Sequence, residues 1–167
     1  ILGLAMAVIS LTALADLISS NITSITLHTN WFLYIGQAVS FLFILLSLTK
    51  SSENYQKKLM LWHIGFSVAA LLLLFLAATL PDFPSIEIKA ILRGSRCVLC
   101  FMIFFAYTAA FMSKQTRFSL LMGIAFLLLS FGYLMIMMQY AVTSQEFFDN
   151  LGDMLRMGGL VTLLAAI

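Results

Sequence analysis

The chain has 167 residues, 62% of them hydrophobic and 10% charged, with a formal net charge of +2. A soluble domain carries roughly a quarter charged residues, so this chain cannot clothe a globule of its size in a wettable surface. The small, scattered positive charge gives no footing for a nucleic-acid interface, and two cysteines cannot build a disulfide scaffold.

Apolar runs recur along the whole length, each about as long as a bilayer core is thick at 1.5 Å per helical residue. Helix one is expected at Leu2–Ser20, where Asp16 is the only charge. A polar loop, NITSITLHTN, follows, and then helix two at Trp31–Thr49 with Trp31 and Tyr34 as interfacial anchors. The loop Lys50–Lys58 is short and basic. Helix three is read from Leu59 to Leu80, with Trp62 and His63 near its start, and Pro81 and Pro84 end it. Helix four runs from Ile86 to Ser113, and Lys114–Arg117 is the tightest connection. Helix five, Phe118–Tyr140, has Gln139 as its one strongly polar member, and helix six starts near Asn150.

The expected fold is therefore all-α: a polytopic transmembrane bundle of about six helices, a single domain over residues 1–167. The start at Ile1 and the stop at Ile167 in mid-run predict a piece of a longer chain. Loop charge sets the orientation. Lys50, Lys57, Lys58, Lys114 and Arg117 fall in the second and fourth loops against one acid, Glu53, whereas the first and fifth loops hold no Lys or Arg. The positive-inside rule then puts both termini inside. A weak repetition places Gly36, Gly94 and Gly158 at similar depths in helices two, four and six, as three similar hairpins would.

The residues that could carry chemistry lie mostly toward the outer side. Arg93 and Arg96 open helix four, Arg156 lies at matching depth in helix six, and Asp16 near the end of helix one. Charges there are costly unless paired, hydrated or snorkelled. One reading makes them interfacial arginines with Asp16 and Asp153 as structural partners. The other makes Asp16, Gln37, Arg93, Arg96, Asp153 and Arg156 an outer polar pocket for an anionic or polar ligand.

Cys97 and Cys100 stand at i and i+3, roughly 60° apart around a helix, with Arg93 on the same face able to lower a thiol pKa. This C-x-x-C resembles the redox pair of membrane disulfide-forming oxidoreductases and vitamin K epoxide reductases, which implies a thiol reaction beside a bound quinone. Those families carry a second cysteine pair in an outer loop, and this chain does not; simple packing is the alternative role for both thiols. Bis-histidine haem needs facing histidines at similar depth, and His28 and His63 fall on opposite sides of the expected bundle. No cofactor is expected on this reading, although a quinone or a bound lipid is compatible with it. No metal cluster, phosphate-binding glycine loop or mid-membrane acid appears, and both prolines fall in one loop rather than breaking a span.

Short loops, apolar helices opening with Arg93 or Arg156, and the segment Leu121-Met122-Gly123-Ile124-Ala125-Phe126 resemble the multi-pass membrane-associated sensor domains that precede histidine kinases and related signalling enzymes. That resemblance implies a non-catalytic domain of the cell membrane, with the lipid bilayer around it. Its partner would be a cytoplasmic domain or protein, or a second copy. The alternatives are an accessory subunit of a larger membrane complex and a quinone-linked thiol oxidoreductase using Cys97 and Cys100.

Overall fold

The computed structural model describes residues 1–21, 29–49, 52–76, 86–138 and 145–166. They form six helices: α1 (Leu2–Asn21), α2 (Thr29–Thr49), α3 (Glu53–Leu76), α4 (Ile86–Lys114), α5 (Arg117–Met138) and α6 (Gln145–Ala166). No strand occurs among the described residues, so the all-α reading holds. Among the described residues three stretches are long and apolar enough to cross a membrane: Phe32–Thr49, Ala90–Lys114 and Arg117–Met138. A shorter apolar run, Leu2–Thr12, lies in α1.

Two helices begin earlier than apolarity alone predicts, because a helix can start in water before it enters an apolar medium. In α3, Glu53 pairs with Lys57 at 2.8 Å across one exposed turn, a contact worth only a few tenths of a kcal/mol. Gln56 donates to the Ser47 carbonyl at 2.8 Å, and the Tyr55 hydroxyl to the Leu46 carbonyl at 3.4 Å. Those side chains satisfy carbonyls that the end of α2 leaves without helical partners. In α6, Glu146 lies in the first turn, where a negative charge suits the helix dipole.

The chain divides into two compact units, Ile1–Leu92 and Arg93–Ile167. In the first, α2 packs against both α1 and α3. Its core is aromatic, with Phe32, Phe41, Phe43 and Ile44 almost wholly buried. Tyr34, expected as an interfacial anchor, is 5% exposed and belongs to this core. Gly36 lets α1 approach: a Cβ there would meet Thr12 Cγ2 at 2.8 Å. The outer face of α3 is left apolar and open, with Leu61, Trp62 and Leu72 each more than half exposed.

The second unit is a three-helix hairpin chain. Its first turn contains only Gln115 and Thr116 outside helix. Gln115 takes the left-handed conformation (φ 47°), and its N–H donates to the Phe111 carbonyl at 2.7 Å, closing α4. Thr116 then caps α5, its hydroxyl oxygen accepting from the Ser119 N–H at 3.3 Å. Aromatic pairs join α4 to α5: Phe101 meets Phe131 edge-on at 5.6 Å, and Tyr107 stacks on Phe126 at 6.1 Å.

The α5–α6 seam is closer. A Cβ on Gly132 would meet the Gly152 carbonyl oxygen at 2.9 Å, a Cβ on Gly152 would meet the Gly132 carbonyl oxygen at 2.9 Å, and one on Gly159 would meet that of Ala125 at 3.0 Å. Backbone lies on backbone at two levels one heptad apart, the small-residue packing that helices use where no hydrophobic effect drives them together. The glycines of the weak repeat have unlike surroundings: Gly36 is tight, while Gly158 has only Leu128 Cδ1 near it, at 3.9 Å.

Candidate functional site

The seam at Gly132 sets the position of the next residue. Tyr133 is 4% exposed, and its ring receives two cations. The Arg96 guanidinium carbon lies 4.9 Å from the ring centroid and that of Arg156 lies 5.4 Å from it. Arg96 comes from α4 and Arg156 from α6, so one α5 side chain joins all three helices of the second unit. A guanidinium over an aromatic face gains about 0.5–1 kcal/mol when exposed and about 2 when desolvated. Arg96, at 3% exposure, is on the desolvated side of that range.

Arg156 also pairs with Asp153 at 3.0 Å, one turn earlier on α6, with side chains 35% and 58% exposed. Solvent or headgroup screening keeps such a pair weak, so its main effect is to aim the guanidinium. Arg93, half-buried, sits one turn before Arg96 on α4. The cluster of Arg93, Arg96 and Arg156 with the single acid Asp153 therefore carries excess positive charge on a polar rim around a buried ring.

Of the six expected pocket residues, the structure gathers Arg96 and Arg156 on Tyr133, with Asp153 paired to Arg156 and Arg93 one turn from Arg96 along α4. Gln37 lies in the first unit, where its amide donates to the Thr12 hydroxyl at 3.4 Å while that hydroxyl donates to the Ile9 carbonyl at 2.7 Å. It serves the α1–α2 seam. The Asp16 side chain and His28 lie outside the described residues.

The cysteines pack. Cys100 is fully buried, Cys97 is 6% exposed, and both are free thiols. The Cys97 thiol donates weakly to the Ser130 carbonyl at 3.4 Å, which ties α4 to α5 next to the tyrosine cluster. Among the described residues no group of His, Cys, Asp and Glu could hold a metal.

His63 shows an unexpected arrangement. It lies roughly three turns into α3, is fully buried, and stacks on Phe43 with ring centroids 4.5 Å apart and planes 8° from parallel. Neither ring nitrogen has a hydrogen-bond partner, and the buried Ser40 hydroxyl has none either. The imidazole here packs as a flat aromatic plate, at the expense of its lost hydration.

Two features were harder to foresee. In the sequence Tyr133 is one aromatic among several in an apolar run. The glycine seam had a signal in the sequence, since Ala125 and Gly132 are one heptad apart on α5, as are Gly152 and Gly159 on α6. Compared with protein families, with curated proteins and with solved structures, the chain finds no match.

Proposed function

We propose that this chain is a non-catalytic sensory or regulatory domain of the cell membrane, crossing it with six helices and with both termini inside. In this reading the arginine–tyrosine cluster receives an anionic or polar signal, and α5 and α6 pass the response to a cytoplasmic partner or domain. The convergence of Arg96 and Arg156 on the buried ring of Tyr133 carries the reading. Charge at such depth is expensive, and it is retained mainly where it binds, pairs or switches. A ligand that drew Arg156 off the ring would change the forces on three helices together, which is the differential contact a switch needs.

The test uses Arg93→Gln and Arg156→Gln in the full-length protein in its native membrane. Both variants should insert at wild-type levels and lose the output of the cytoplasmic partner or domain by tenfold or more. A normal output in both would overturn the proposal.

A second reading, an accessory subunit of a membrane complex, draws on α6. Met154, Met157, Val161 and Leu164 recur at one-turn intervals on one face, and each is about two-thirds exposed or more. That stripe suits a partner helix as well as lipid. A subunit should co-purify in mild detergent with one partner at fixed stoichiometry, and Val161→Arg should release it. A sensor needs no such obligatory partner.

A further inference from the structure

At the end of the second unit where α4 turns into α5, a groove of about 220 Å³ opens between the two helices. Phe104 and Phe111 of α4 and Leu120, Gly123 and Ile124 of α5 line most of it. Its two hydroxyls are spent on the helices themselves. Thr108 donates to the Phe104 carbonyl at 2.9 Å, and Ser119 to the Thr116 carbonyl at 2.9 Å. The groove is far larger than the ~10–15 Å³ that one water needs, yet it offers water almost no polar partner. Hydrocarbon fits it better.

The residues above the groove differ sharply from its walls. Lys114 lies one turn beyond Phe111 on the same face of α4, and Arg117 lies one turn before Leu120 and two before Ile124 on the same face of α5. Both are exposed, and among the described residues neither makes an ion pair. The left-handed Gln115 and the Thr116 cap keep the connection to two residues, so the two cations flank one short turn, each within three residues of a residue that lines the groove.

From this geometry we infer a binding site for one anionic phospholipid, its phosphate on Lys114 and Arg117 and part of an acyl chain in the groove between α4 and α5. The charge, the apolar lining and their order along the helices match a lipid with its headgroup at the membrane surface. Basic residues at the inner surface attract acidic lipids in this way. The site is separate from the tyrosine cluster and stands whether or not that cluster is a sensor.

Native mass spectrometry of the purified full-length protein, titrated with phosphatidylglycerol or with phosphatidylcholine of the same chains, tests it. The wild type should retain one phosphatidylglycerol in preference to phosphatidylcholine. Lys114→Gln with Arg117→Gln should weaken that binding roughly thirtyfold, about fivefold per charge, and leave phosphatidylcholine unaffected. Gly123→Val fills the groove, where a Cβ has 3.9 Å to Thr108 Oγ1, and should displace both lipids while the protein stays folded by circular dichroism. Glycerol phosphate alone should bind weakly. Equal retention of the two lipids by the wild type, unchanged phosphatidylglycerol binding in the double variant, or glycerol phosphate binding as tight as the intact lipid would each overturn the inference.

Discussion

The two units solve the same problem, holding apolar helices together, with different chemistry. In the first, aromatic and neutral polar side chains join the helices. Phe43 stacks on His63, Gln37 donates to Thr12, and side chains from the start of α3 fold onto the end of α2. In the second, helix backbones touch at glycine, and two guanidiniums share one tyrosine ring. Aromatic plates tolerate small displacements, because dispersion is summed over many weak contacts. A backbone seam beside a desolvated cation does not. The first unit should therefore absorb substitutions that the second cannot.

The largest effect is expected at Tyr133. Tyr133→Ala should cost about 3–5 kcal/mol, because it opens a cavity and leaves Arg96 buried without its ring. Unfolding in mixed micelles by increasing dodecyl sulfate would measure this, and a cost below that of an ordinary surface change would break the contrast between the units. Gly152→Ala comes next, at about 1–3 kcal/mol, since the added Cβ would press on the Gly132 carbonyl and Ile136. Its counterpart in the first unit is Gly65→Ala, which has nothing within 4 Å and should be neutral or stabilising by up to about 1 kcal/mol.

His63→Phe should gain about 1 kcal/mol, keeping the stack on Phe43 and removing two polar atoms without partners. A loss of that size would mean that an imidazole nitrogen is bonded in the native protein, and would bring the first unit nearer to the second. Thr12→Val should be the mildest, at about 0.6 kcal/mol for one hydrogen bond between apolar helices. The same unfolding assay reads both.

Much of this architecture could be read from the sequence because apolar length and loop punctuation are coarse, additive signals. The α2, α4 and α5 boundaries fall within about two residues of those expected, the usual uncertainty at helix ends. The start of α3 was hidden because Glu53, Gln56 and Lys57 are polar, and hydropathy registers the medium rather than the backbone. The site was legible in part. Arg96 and Arg156 stand out in the sequence as charges within largely apolar helices, but their meeting on Tyr133 depends on the register of α5 against its neighbours, α6 above all. That register is set by Gly132 on Gly152, a contact between residues without side chains, which no pattern of hydrophobicity encodes.

The two-residue turn at Gln115–Thr116 has a mechanical consequence. Two residues span at most about 7 Å, so α4 cannot slide along its axis without dragging α5, and the glycine seam couples α5 to α6 in the same way. Piston motion of a single helix is closed to this unit. The freedoms left are tilt and rotation about the helix axes, and a rotation of α4, α5 or α6 would change how closely Arg96 and Arg156 approach the Tyr133 ring.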